Sequence, residues 1–225
     1  MNLEQLLYDY PEDLIAVEKS NPSRVMFVDS SHQVQELSKQ QLLTKFNSGD
    51  LLVINDTKVE KRRVHTESGL EILFIEKVED RVWQVLFPSS RIKDEQLVAL
   101  PGGIEFKLLK RGLPQTISLS KSLPEDYFIK FGQMALPPYI QKKRQQRENS
   151  PTDELTYQTD WAENEGSCAA PTASLHFNNE DLKQLTQAGV NVCKITLHVG
   201  LGTFLPIKEK NILDHKMHKL SLIHI

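Results

Sequence analysis

The spacing of apolar positions changes along this chain, and the changes divide it. Ser38-Lys-Gln-Gln41 reads as a capping box ahead of Leu42, Leu43 and Phe46, an apolar face at helical spacing, and Gly49 stands where a helix end favours a left-handed residue. Leu51 to Ile54 then reads as a buried strand. It delivers Asn55, Asp56 and Thr57 to the C-terminal end of that strand, the edge at which open α/β sheets bind ligands. From about Val64 to Phe131 the rhythm shortens to β-rich runs at Leu70–Ile75, Arg81–Phe87, Ile104–Leu109 and Tyr127–Phe131, with turn signals such as Pro101-Gly-Gly103 between them. No helical pattern separates these runs, which predicts a small antiparallel barrel or sandwich. A polar, basic segment follows Leu136-Pro-Pro-Tyr-Ile140 and runs to about Thr156, and it predicts a mobile loop or linker.

Helix and strand then return. Asn178 suits an N-cap, Glu180 and Asp181 complement the first turn, Leu182 and Leu185 share a face, and Gly189 ends the pattern before the β-branched strand Val190–Leu197. Two α/β pieces therefore flank a β insertion and belong to one domain. No internal repeat is present.

Composition narrows the class. A chain of 225 residues with 25% charged and 39% hydrophobic positions buries a substantial core. The net charge of −3 supplies no global attraction to nucleic acid. Two local stretches differ: Lys58, Lys61, Arg62 and Arg63, and then Lys142, Lys143, Arg144 and Arg147, each suited either to a phosphate backbone or to plain solvation. Cys168 and Cys193 are too few for a disulfide framework or a cysteine-rich zinc site, which points to a reducing compartment. The first residues carry Glu4, Asp9 and Glu12 rather than a signal sequence, and no apolar run approaches the roughly 20 residues that span a bilayer. A cytoplasmic protein with no membrane association is expected.

Reactive side chains concentrate near the end. His176, His198, His215 and His218 fall within a short span, which raises proton chemistry near neutral pH. The spacing His215-x-x-His218 is not that of a helical zinc protease, so a metal is not expected, although a metal-dependent hydrolase is the reading these histidines would otherwise support. Gly200-Leu-Gly202 follows a strand but lacks the third glycine of a dinucleotide fingerprint, and Pro206 stands where a phosphate-capping helix should begin. Close approach of backbone to a ligand, or a tight turn, fits it better.

Several blocks carry a resemblance. Ala169-Ala-Pro-Thr-Ala-Ser-Leu-His-Phe177, Leu197-His-Val-Gly-Leu-Gly-Thr-Phe204 and Asp214-His-Lys-Met-His218 resemble signature blocks of the S-adenosylmethionine:tRNA ribosyltransferase-isomerases of queuosine biosynthesis. Gly49–Val59, Pro88-Ser-Ser-Arg91, Leu136–Ile140 and Tyr157-Gln-Thr159 match further blocks in order, so the resemblance covers nearly the whole chain. The family usually has Gly at Ser174, an aromatic after Val at Asp160-Trp161, and Ala-Arg at Arg62-Arg63. Members also continue beyond the Asp214–His218 block, whereas Lys219–Ile225 does not match that continuation, so a shortened or misjoined end is expected, with Leu220, Leu222, Ile223 and Ile225 as an unfinished strand.

The resemblance implies a mixed-sheet α/β domain formed by residues 1–60 and 137–225, with an antiparallel β-barrel inserted at 61–136. It implies transfer and isomerisation of the ribosyl part of S-adenosylmethionine onto 7-aminomethyl-7-deazaguanine in tRNA, giving epoxyqueuosine and releasing adenine and methionine. No resident cofactor or metal is implied, and a monomer is expected. The sulfonium acidifies the ribose C5′ protons, so a positioned base generates an ylide-like carbon, and a donor at adenine helps that base leave. His198 is favoured as the base because Gly200 and Gly202 admit the ligand, and His176 as a positioning or acid group. Asn55, Asp56, Thr57, Pro171, Thr172, Gly200, Gly202 and Thr203 are candidate contacts to S-adenosylmethionine, with an Asx-type turn as the plainer reading of the first three. Lys58, Arg62, Arg91, Lys142, Lys143, Arg144, Tyr157 and Gln158 are candidate tRNA contacts. A noncatalytic RNA-binding relative is the alternative, favoured if the Ser174 side chain blocks the cofactor.

Overall fold

In the computed structural model the described residues are 2–17, 24–145, 149–150, 152–200, 202, 207, 209–216 and 221–223. Their elements in chain order are β1 Arg24–Val28, β2 Val34–Ser38, α1 Lys39–Leu43, β3 Leu51–Asn55, β4 Thr57–Val59, β5 Arg63–His65, β6 Glu71–Glu79, β7 Val82–Leu86, β8 Val98–Leu100, β9 Ile104–Lys110 and β10 Gln115–Leu119. There follow α2 Tyr127–Phe131, β11 Gly132–Gln133, α3 Pro138–Arg144, α4 Asp153–Thr156, β12 Asn164–Ser167, α5 Asn179–Gln187, β13 Asn191–His198 and β14 Ser221–Ile223. The result is a mixed α/β protein.

Seven strands form one antiparallel sheet in the order β11-β5-β6-β7-β10-β9-β8, a curled half-barrel in which β11 and β8 are the two end strands. Alternation drives it, since β10 buries Gln115, Ile117 and Leu119 on one face and half-exposes the residues between. Phe74, Val85, Phe106 and Ile117 are wholly buried in the core this sheet encloses. At about 1.5–3 kcal/mol for each fully buried large side chain, this is the principal store of hydrophobic stabilisation in the insertion. Gln115 also reaches past the end of β7, where its amide accepts from Phe87 N and donates to Phe87 O.

Tyr127–Phe131 is a helix and not the strand its composition suggests. A run of five residues carries both periods, and packing decides between them. The helical turn sets Phe128 edge-on to both Phe74 and Trp83, with ring centroids 5.3 and 5.7 Å away, while Tyr127 is buried and donates to Pro101 O. An extended run would send alternate rings into water.

A second sheet has the order β14-β13-β3, with β13 parallel to β3 and antiparallel to β14. The expected capping box of Ser38 with Gln41 forms at α1, and the expected N-cap Asn178 forms one as well, with Asp181, at α5. The two helices are joined by Lys39 Nζ to Asp181 Oδ2 at 2.7 Å, and they cover one face of the sheet through Leu43, Leu185 and Val190. The expectation of a buried β3 is corrected: Leu51 and Val53 are 64% and 49% exposed, and only Ile54 is buried, because helices cover one face of this strand and leave the other open among the described residues. Gly189, at φ +88, follows α5 as expected, but α1 already ends at Thr44, and Gly49 at φ +92 closes the next turn by donating to Gly189 O.

The segment expected as a loop is corrected for its described part. Residues 138–144 and 153–156 are the helices α3 and α4. Arg147 and His218 lie outside the described residues. So do Leu220 and Ile225, whereas Leu222 and Ile223 fall in β14.

Candidate active site

Because β3 and β13 run parallel, the segments that leave their C-terminal ends meet. Asn55, the last residue of β3, donates from its side chain to Leu197 O at 2.9 Å and accepts from Leu197 N at 3.0 Å, so its amide continues the ladder one step further. The same Oδ1 accepts from Thr57 N at 3.1 Å, which is the Asx-type turn. Trp161 Nε1 donates to Asn55 O. Asn55 thereby builds the site, with Oδ1 accepting two backbone N–H groups and Nδ2 donating to a carbonyl.

Asp56 is buried and also occupied. Its Oδ1 accepts from Thr196 Oγ1 at 2.6 Å, and Thr196 in turn accepts from Asn164 Nδ2 at 3.1 Å. The geometry makes it an internal anchor for β13 rather than a carboxylate facing solvent. Thr57 is wholly buried, and its Oγ1 lies 2.7 Å from His198 Nδ1, so a hydrogen bond spanning 141 positions joins two signature blocks.

The other edge of the His198 ring lies over Gly166. A side chain there would place its Cβ 2.7 Å from His198 Nε2, and φ at Gly166 is +141. Only glycine leaves room for this approach. Ser167 Oγ accepts from Val199 N at 3.0 Å and donates to Ala169 O at 2.7 Å, and Cys168 N donates to Val199 O. The segment that leads into Gly200 is thus laced to Ser167 and Cys168, just ahead of the Ala169–Phe177 block. Cys168 itself is buried, and burial pushes its thiol up.

His176 stands elsewhere. It ends the 3₁₀ helix Thr172–His176 and, with Thr172, Leu175, Tyr157, Tyr139 and Arg144, lines a cavity of about 170 Å³. His198 is not in its lining. Pro171 and Ser174 frame this helix, Pro171 as its N-cap and acceptor from Ser174 N. Burial pushes the Tyr157 phenol up. Gly202 is half-buried, and Thr203 lies outside the described residues.

The basic candidates divide. Arg62 is corrected as a free phosphate contact: its Nη1 donates to Ile75 O, its Nη2 forms an ion pair 2.6 Å from Glu60, and the guanidinium lies over Trp83. Arg63 is 1% exposed and bonded to Gln133 and Asn149, so the apparent run of four cations contributes at most two to the surface. Those two, Lys58 and Lys61, pair with Glu165 and Glu154. Arg144 is likewise corrected, since its Nη1 reaches both oxygens of Asp153 at 2.8 Å and its other nitrogens donate to Val17 O. Gln158 spends its amide on Val59, accepting from its N–H and donating to its carbonyl. Arg91 is exposed, and exposed Lys142 and Lys143 lean on Glu12.

Sequence reasoning missed Asn164, Gly166, Ser167 and Thr196. Gly166 had a signal, a lone glycine three residues before the start of the Ala169–Phe177 block. The others are ordinary polar residues whose partners are remote in sequence.

Comparison with known proteins adds names to this geometry. The family described as "Queuosine biosynthesis protein" matches residues 3–222. The S-adenosylmethionine:tRNA ribosyltransferase-isomerase of Sulfurihydrogenibium sp. (strain YO3AOP1) is 34% identical over 231 residues, covering 97% of this chain and 67% of that protein. The enzyme of the same name from Geotalea uraniireducens (strain Rf4) is 36% identical, covering 97% and 66%. The chain therefore spans about two thirds of the length of these relatives. A crystal structure of S-adenosylmethionine tRNA ribosyltransferase from Thermotoga maritima aligns over 85% of this chain and 57% of that one, at 23% identity and a TM-score of 0.33.

Proposed function

The chain belongs to the queuosine biosynthesis protein family, and from that premise we propose that it acts as an S-adenosylmethionine:tRNA ribosyltransferase-isomerase. The ribosyl part of S-adenosylmethionine moves to the aminomethyl group of 7-aminomethyl-7-deazaguanine in tRNA and isomerises, while adenine and methionine depart. The single observation that carries this reading is the Thr57–His198 hydrogen bond at the joined ends of β3 and β13, which brings two family blocks into one site. In this reading Gly200 and Gly202 admit the co-substrate beside His198, Pro171 and Thr172 present His176, and Asn55, Asp56 and Thr57 hold the floor. Reaction requires a base at ribose C5′ and donors at the departing groups, and the two histidines divide that work.

Residues 1–60 with 137–225 form the catalytic α/β unit in this proposal, and 61–136 form the insertion, read as an antiparallel barrel. Support comes from the separate cores of the two parts. Transfer RNA meets Arg91, Lys142 and Lys143, with Lys58 and Tyr157 nearer the site. The protein works as a cytoplasmic monomer without a resident cofactor. None of the helices among the described residues is long and apolar enough to cross a membrane.

The test is single-turnover release of adenine from S-adenosylmethionine in the presence of tRNA carrying the aminomethyl base. Adenine and modified tRNA should appear together. Binding of tRNA without uptake of S-adenosylmethionine would identify a noncatalytic RNA-binding relative instead.

A further inference from the structure

The hydrogen bond between Thr57 and His198 has a direction, and its direction decides what His198 can do. Thr57 is wholly buried, and among the described residues its hydroxyl has no hydrogen-bond partner besides His198 Nδ1, 2.7 Å away. A hydroxyl carries one proton and accepts through lone pairs. If Nδ1 carried the ring proton, the Thr57 hydroxyl would accept it and its own proton would point into the interior with nothing to receive it. Leaving a buried donor unpaired favours the other tautomer by roughly 5- to 150-fold, the equivalent of about 1–3 kcal/mol. The favoured arrangement has Thr57 donating to a bare Nδ1, and the neutral ring then carries its proton on Nε2.

Nε2 lies on the ring edge that packs against Gly166, opposite Thr57, and no hydrogen bond to it occurs among the described residues. We infer that His198 serves the site as a neutral Nε2–H hydrogen-bond donor, fixed in that tautomer by Thr57, and that it is not the general base. The inference rests on the reaction proposed above for its ligand: the donor meets a purine nitrogen or a ribose oxygen of S-adenosylmethionine and stabilises the electron density that builds there as adenine leaves. No proton is transferred from His198, because a neutral imidazole that lost its Nε2 proton would become an anion. A neutral imidazole donating in this way is an established device for stabilising developing charge. Thr57 is a positioning residue that acts through the ring, and Gly166, lacking a Cβ, lets the ring sit where Thr57 reaches it. The task of base at C5′ passes to another group, for which His176 is a candidate.

The tautomer can be read directly. Histidine labelled with 15N in both ring nitrogens is incorporated into the 225-residue chain, His198 is assigned by its loss in His198→Gln, and spectra are taken at about pH 8.5, above the ordinary imidazole pKa near 6.5. Nε2 should give a pyrrole-like resonance and Nδ1 a pyridine-like one. Thr57→Ser should preserve the pattern, and Thr57→Val should shift both resonances toward a tautomer mixture. Gly166→Ala should do the same by pushing the ring off Thr57. A pyrrole-like Nδ1 in the parent overturns the inference, as does a parent pattern that survives Thr57→Val in a folded protein. Should Thr57→Val fail to fold, the parent and Thr57→Ser spectra decide. The predicted tautomer in a chain that takes up no S-adenosylmethionine would leave the hydrogen bond standing and remove the ligand and the proposed reaction. In an active protein, His198→Gln should lower kcat by about 10²–10³-fold, the usual loss for one such donor, and Thr57→Ser should recover activity that Thr57→Val loses.

Discussion

Replacing Asp153 by Asn removes one charge from the pair that locks α3 to α4, and its cost follows from the contacts. Asp153 is 1% exposed, takes Arg144 Nη1 on both oxygens at 2.8 Å, and accepts from Ser150 N at 2.7 Å. Removing one member of a buried ion pair costs about 3–5 kcal/mol. The amide oxygen of Asn still accepts one bond, and the Arg144 side chain keeps 16% of its exposure, so about 2–3 kcal/mol is expected. For a chain of this size each kcal/mol moves the melting temperature by about 2–4 °C, giving a loss of about 4–12 °C at pH 7.

Acid should erase that loss. Burial tends to raise the Asp153 pKa, but the Arg144 and Ser150 hydrogen bonds outweigh it and hold the group below 3.8. A depressed carboxylate stabilises the fold fully above its unfolded pKa and loses that contribution as pH falls through the native value. The parent's advantage should therefore be whole at neutral pH and shrink below pH 3.8. Thermal melts followed by circular dichroism give both numbers. Equal melting at pH 7, or a deficit that persists undiminished to the lowest pH at which both fold, would falsify the account. Arg144→Met with Asp153→Leu should recover part of the loss, since an apolar pair needs no charge partner.

Other expectations follow from burial and exposure. A thiol reagent should modify Cys193 rapidly in the native protein and Cys168 only on unfolding, because Cys168 is buried with its thiol pushed up; two fast equivalents would refute this placement. Lys142→Ala with Lys143→Ala should leave the melting temperature near the parent's and flatten the salt dependence of tRNA binding, by about 0.7–0.9 in slope for each phosphate that is no longer neutralised. An unchanged slope in a filter-binding series would assign these lysines to solvent.

What is legible in the sequence is local. Ser38 and Gln41, or Asn178 and Asp181, are three residues apart, so a capping box can be read from spelling, and Gly189 declares its left-handed turn in the same way. Tyr127–Phe131 misleads because five aromatic-rich residues satisfy two periodicities until Phe74 and Trp83 choose one. Leu51 and Val53 look internal because the sequence does not state how many layers cover a strand. At the site the blocks are visible, but the bond that joins them lies between Thr57 and His198, and nothing near either residue announces the other. Arg62, Arg63 and Arg144 mislead for the same reason, since the acceptors that consume them come from elsewhere in the chain.

Asn55, Gln115 and Gln158 perform one act in three places: each carboxamide receives one backbone N–H and donates to the carbonyl of that same residue, Leu197, Phe87 and Val59 respectively. A side-chain amide is a peptide group on a stalk, so each supplies a strand of length one where no further chain is at hand. Val59 is thereby denied to any foreign strand seeking an edge to add to. Hydrolysis of such an amide to the acid would set oxygen against carbonyl oxygen and turn attraction into repulsion without changing the outline of the side chain. Chemical ageing at Gln158 would then reopen the seam and offer the Val59 backbone to another strand.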